Sequence, residues 1–179
     1  ASSLGIDVTS IVALASVLTL ALSLALQNMV SNIIGGFTIL YTHPFHSGDY
    51  VEIAGQGGTV KEINMTYTVL ATPDQKIISI PNSAVVAAQI TNYSEAETRR
   101  VDVVASASYD APTQQVIDAL VQAGTVDKVL LDPAPMAVIT SYGDSAIQYA
   151  LRVWVKNADY WDVYFAVNKR VKDIFDEQG

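Results

Sequence analysis

Residues 8–26 read VTSIVALASVLTLALSLAL, and no Asp, Glu, Lys or Arg occurs between Asp7 and Asp49. Wound as an α-helix at about 1.5 Å per residue, this stretch crosses most of a hydrocarbon core about 30 Å thick. A secretory leader needs a basic segment before its apolar run, and the first Lys or Arg here is Lys61. A buried helix of a soluble protein is a second alternative. A transmembrane helix is the reading adopted. The chain starts at Ala1 rather than Met, so it reads as processed or as a piece of something longer.

Small residues recur through the run at Ala13, Ala15, Ser16, Thr19, Ala21, Ser23 and Ala25, interleaved with Leu14, Leu18, Leu20, Leu22, Leu24 and Leu26. Small side chains let helix backbones approach closely in lipid. This pattern fits a membrane helix packed on a neighbour. It also fits a ring of identical helices, with Thr19, Ala21, Ser23 and Ala25 packing between copies. Leu20 and Leu24, four apart, share a face, and Ser16, Gln27 and Ser31 continue it. An apolar constriction in a more polar lining has this form. Gln27-Asn28 then interrupts the apolar run, which resumes with Met29, Val30, Ile33, Ile34 and Phe37. A bend at Asn28 would send residues 29–41 along the membrane interface. The alternative is one long helix ending at Gly35-Gly36, since paired glycines weaken a helix.

Pro44 stops the helix. Short strands separated by turns follow: 49–53, 59–63, 66–71, 76–80 and 89–94, with turns at 54–58 and 72–75. They predict a small antiparallel β-module over residues 44–96. Beyond it, RRVDVVASAS (99–108) reads as a strand, and Pro112 opens a helix closed by Gly124. MAVITSY (136–142) and AIQYALRVWV (146–155) read as strands. Residues 159–177 read as a helix, with Tyr160, Tyr164, Val167, Val171 and Ile174 at helical spacing. The order β-α-β-β-α over residues 97–179 is a split α+β unit of ferredoxin-like type, without its last strand. The fold class is thus a membrane helix (1–43), an all-β Sm-like domain and an α+β domain.

Mean hydropathy is +0.29 and net charge is -8. The acidic balance argues against nucleic acid, whose phosphates draw affinity from Lys and Arg. No cysteine is present, which excludes disulfides and thiolate metal sites. His43 and His46 lie beside Ser47 and Asp49. Two histidines without a third ligand make no zinc site, and no G-x-S-x-G elbow accompanies them. They read as interfacial residues at a helix-to-sheet junction. AGQGG (54–58) lacks the Lys and helix of a phosphate loop and reads as a hairpin turn. No catalytic residue, metal or cofactor is expected.

The ordered motifs resemble the small-conductance mechanosensitive ion channel family (MscS-type). LALQNMVSNIIGGF (24–37) looks like that family's pore helix running through its bend. PFHSGDYVEI (44–53) is similar to its entry into the β-domain. GTVKEI (58–63), IPNS (80–83), ITNYS (90–94), RR (99–100) and YD (109–110) follow in order.

The resemblance implies a homo-oligomer, a heptamer, with Leu20 and Leu24 as the constricting rings. It implies opening by membrane tension and passage of ions and small osmolytes under hypoosmotic stress. It places the chain in the inner membrane among lipids, multi-pass at full length, with cytosolic C-terminal domains. Asn28 stands where the family usually carries a glycine hinge, and Gly35-Gly36 matches a second one. Ser16, Thr19, Ala21, Ser23 and Ala25 replace the family's Ala/Gly seam, with hydroxyls free to bond across helices or to their own backbone. Outer membrane helices and a C-terminal strand of the family are not in this sequence. A membrane-anchored scaffold without conduction is the alternative function.

Overall fold

The computed structural model describes residues 7–178. It divides into two compact units, residues 1–95 and 96–179. The first unit opens with α1, Val8–Thr42, a single helix of 35 residues. At about 1.5 Å per residue it is about 52 Å long, more than a bilayer core requires. Asp7 caps its start, accepting from the Thr9 amide at 3.0 Å and the Ser10 hydroxyl at 3.1 Å. His43 closes its end in the left-handed conformation, φ 48°, donating its amide to the Ile39 carbonyl at 2.9 Å. Helical turns run unbroken through Asn28 and through Gly35-Gly36. The alternative reading, one long helix ending at the glycine pair, is therefore corrected, since the helix runs on to Thr42.

The strands of the first unit are β1 (Tyr50–Ile53), β2 (Gln56–Ile63), β3 (Tyr67–Ala71), β4 (Ile77–Pro81) and β5 (Ile90–Asn92). They form one antiparallel sheet in the order β4-β3-β2-β1-β5. The first hairpin turn is only Ala54-Gly55, since Ile53 pairs with Gln56. Both turn residues have positive φ, 51° and 76°, as a two-residue hairpin of this twist demands. Gly57 and Gly58, expected in the turn, are strand residues. A Cβ on Gly58 would meet the Ala71 carbonyl oxygen at 3.0 Å and Leu70 at 3.1 Å. A short helix not expected from sequence, α2 (Asn82–Ala87), joins β4 to β5. Phe45, Val51, Ile53, Val60, Leu70, Ile80 and Val85 form the core of this module, joined by Ile39 of α1.

The second unit contains β6 (Thr98–Ala107), α3 (Thr113–Ala123), β7 (Met136–Tyr142), β8 (Ile147–Lys156) and α4 (Tyr160–Gln178). β8 lies between β6 and β7 and is antiparallel to both. β6 and β7 are therefore parallel to one another, which is the split arrangement expected. Alternate residues Val101, Val103, Tyr149, Leu151, Val153 and Val155 face the helices, as the period of two dictates. Val116 and Leu120 of α3, and Val163, Val167, Val171 and Ile174 of α4, complete the core at three- and four-residue spacing. Lys128 ties the loop before β7 to the start of α4 through Asp159 at 2.9 Å and Asp162 at 3.0 Å. Hydrogen bonds to these two carboxylates hold its ammonium well above the usual lysine range.

Candidate pore helix and its anchorage

Successive α-helical residues turn by about 100°, so Ser16, Leu20, Leu24, Gln27 and Ser31 fall within an arc of about 80°. Thr19 and Ser23 lie at one margin of that arc. Ala21 lies on the other side, and Ala25 lies further round, toward the back of the helix. Ile11, Leu18, Leu22 and Met29 share the back. Small residues thus occur on two nearly opposite faces. Every residue from Val8 to Ser31 is exposed, with Leu20 at 61% and Leu24 at 62%. This half of the helix receives no cover from the described residues of its own chain.

The hydroxyls of this half have local partners. Ser16 donates to the Val12 carbonyl at 2.8 Å and Thr19 to the Ala15 carbonyl at 2.8 Å. Bonding to the preceding turn removes the cost of a bare hydroxyl in hydrocarbon. Of the two options open from sequence, these two hydroxyls use their own backbone.

The lower half differs. Gly35, Gly36 and Ile39 are buried. The Asn32 side-chain oxygen accepts from the Ser83 amide at 3.0 Å and the Ser83 hydroxyl at 2.7 Å. A Cβ on Gly35 would lie 2.7 Å from the Asn82 carbonyl carbon, and one on Gly36 would lie 2.5 Å from the Met65 carbonyl oxygen. Backbone meets backbone here, and only glycine fits. The glycines read as weak points in sequence are thus packing points against α2 and the β2–β3 turn.

Asn82 locks the other side of this contact. It is fully buried. Its side-chain oxygen accepts from the Thr68 hydroxyl at 2.9 Å, its side-chain nitrogen donates to the Asn64 carbonyl at 2.8 Å, and its amide donates to the Thr66 carbonyl at 2.9 Å. A buried amide side chain is tolerated because it is paired on both ends. IPNS (80–83) was legible as a motif; its role as the seat of α1 was not. Nothing in the sequence marked Asn32 for this contact.

The link from α1 to β1 is fixed in the same way. Phe45 is buried in the module core. Asp49 accepts from the His46 amide at 2.8 Å and from the Asn92 side chain at 3.0 Å. The Asn92 oxygen in turn accepts from the Ser94 amide at 2.8 Å, and the Ser94 hydroxyl accepts from the Tyr50 amide at 2.8 Å. PFHSGDY and ITNYS, separate in sequence, form one network. His43 and His46 stack with ring centroids 5.5 Å apart. Among the described residues, no group of three or more His, Asp or Glu is placed to hold a metal ion. Asn28 is exposed, within continuous helix.

Residues 28–95 match the family described as mechanosensitive ion channel, beta-domain, and residues 99–179 match mechanosensitive ion channel MscS, C-terminal. The small-conductance mechanosensitive channel of Edwardsiella ictaluri is 35% identical over 88% of this chain and 55% of its own length. The channel of the same name from Helicobacter pylori is 30% identical over 98% of this chain and 65% of its own. The chain therefore spans under two thirds of these curated relatives. The crystal structure of Helicobacter pylori MscS in its closed state superposes with a TM-score of 0.91 at 30% identity, covering 98% of this chain and 70% of that one. Arabidopsis thaliana MSL1 shares the fold at a TM-score of 0.81 and 21% identity. The Edwardsiella ictaluri and Helicobacter pylori relatives are named as channels. A helix long and apolar enough to cross a membrane, followed by matched β and α+β domains, makes this chain a member of the MscS family of mechanosensitive ion channels.

Proposed function

We propose that this chain supplies the pore helix and most of the cytosolic vestibule of a channel opened by membrane tension. The observation that carries the reading is the upper half of α1. It presents a Leu20–Leu24 stripe and small residues on two nearly opposite faces, with no cover from the described residues of its own chain. Two different packing faces suit a head-to-tail ring, in which one face of each copy meets the other face of the next. The family points to a heptamer.

In such a ring Leu20 and Leu24 form two apolar constrictions that dewet and stop ions without a plug. Ser16, Gln27 and Ser31 line the more polar lumen on either side. Thr19, Ala21, Ser23 and Ala25 pack between neighbouring helices. Tension favours the state of larger in-plane area, so a wider ring gains population as tension rises. Ions and small osmolytes then pass, relieving hypoosmotic stress. The chain lies in the inner membrane, multi-pass at full length and in contact with lipids. Its C-terminal domains are cytosolic, consistent with all Lys and Arg following the helix.

Bending falls at Asn28, just above the segment clasped by Ser83, while Gly35-Gly36, the second hinge position of the family, keeps the lower helix close on its seat. Asn28→Gly and Asn28→Ala are expected to shift closing or inactivation in opposite directions; identical kinetics in both variants would remove Asn28 as the hinge. The function itself is tested with the full-length protein in lipid bilayers. Unit currents whose open probability rises with suction are expected. A silent bilayer containing correctly oligomerised protein would replace the channel with a scaffold.

A further inference from the structure

Both histidines of the chain stand at the exit of α1. His43 is its C-cap and His46 follows two residues beyond Pro44; both are exposed, and their rings stack at an interplanar angle of 25°. One turn earlier, Phe37 and Tyr41 stack with centroids 6.2 Å apart and are 71% and 77% exposed. Aromatic rings at the end of an apolar span settle at headgroup level. Membrane helices usually carry Lys or Arg beside such rings, where cations meet anionic headgroups. This chain has neither before Lys61. The two imidazoles hold the place of those cations, and imidazole is the side chain that changes charge between about pH 5 and 8.

The charged surroundings are simple. The His46 Nδ1 lies 3.8 Å from an Asp49 oxygen, and the His43 Nδ1 lies 3.3 Å from the Tyr41 carbonyl oxygen. Among the described residues, Asp49 is the charged group at ion-pair distance from either ring. Beside the Asp49 carboxylate the local charge is negative with both rings neutral and positive with both protonated. The carbonyls at the end of α1 favour a cation at His43.

We propose that His43 and His46 form a proton-sensitive contact for anionic lipid headgroups at the exit of α1. Phe37 and Tyr41 hold the site at headgroup depth. Protonation of both rings turns it from repelling phosphate to attracting it. The inference rests on reading α1 as a membrane helix, and its test does not depend on conduction.

The full-length protein is reconstituted in phosphatidylcholine membranes with spin-labelled phosphatidylglycerol or phosphatidylcholine as the probe. The motionally restricted fraction gives the preference for the anionic lipid. Each surface cation strengthens binding to anionic lipid by about fivefold, so protonating both rings is expected to raise the preference by up to about 25-fold between pH 7.5 and 5.5. His43→Asn/His46→Gln, whose Asn tolerates the left-handed cap, should hold the neutral-pH preference at both values. His46→Lys should raise the preference already at pH 7.5 and leave only the response of His43, about fivefold, on acidification. Equal preference at the two pH values in the parent protein, or a pH response that survives in the double variant, would overturn the proposal. If the preference shifts as expected while the bilayer stays silent to suction, the channel reading fails and this one stands.

Discussion

The two halves of α1 share one hydrogen-bonded helix and little else. Above Asn32, every described side chain is exposed within its own chain. Below it, Gly35, Gly36 and Ile39 are buried against the β-module, and Asn32 accepts two hydrogen bonds from Ser83. The upper half is written for partners outside the chain, so its sequence answers to helix packing in lipid. The lower half is written for one seat, so single residues there are fixed by backbone contact. On the proposed reading, the upper half moves while the lower half stays attached to the β-module.

Substitutions sharpen that contrast. Gly36→Ala should have the largest effect, because its Cβ would meet the Met65 carbonyl oxygen at 2.5 Å and neither backbone can yield cheaply. Overpacking of this kind costs about 2–3 kcal/mol, read as faster amide exchange across the β-module. Ser23→Ala, in the uncovered half, should leave that exchange unchanged. Asn82→Ala comes next, at about 2 kcal/mol, since it strips the Thr68 hydroxyl and the Asn64 carbonyl of their partners in a buried place. Asn32→Ala should cost about 1 kcal/mol and raise exchange at the Ser83 amide, freeing the lower helix from α2. Ser83→Ala should cost about 0.5 kcal/mol, because the amide bond to Asn32 survives. If Ser83→Ala proves worse than Asn32→Ala, the clasp is not organised around Asn32.

Much of this fold was legible. The uncharged run, the strands punctuated by Gly and Pro, and the helix opened by Pro112 and closed by Gly124 each carry a local signal. β7 matched its expected bounds, Met136–Tyr142. What escaped was set by tertiary contact. α2 is six residues long, too short for a helical period to show, and it exists because Asn82 is held by Thr68, Asn64 and Thr66. Gly35-Gly36 carries the same sequence signal whether it bends a helix or admits a neighbour; only the positions of Asn82 and Met65 decide for packing. The Leu20–Leu24 stripe was legible because four-residue spacing is a property of the helix alone. The chain's motifs supplied the rest, but their chemistry, such as Asp49 bridging His46 and Asn92, needed the folded network.

The most direct measurement is the opening tension of Leu20→Ser and Leu24→Ser in single-channel recordings from membrane patches under graded suction. A serine in either ring hydrates the throat, so both variants should open at lower tension than the parent channel. Thresholds equal to or above the parent's in both variants would contradict the assignment of Leu20 and Leu24 as the closed constriction.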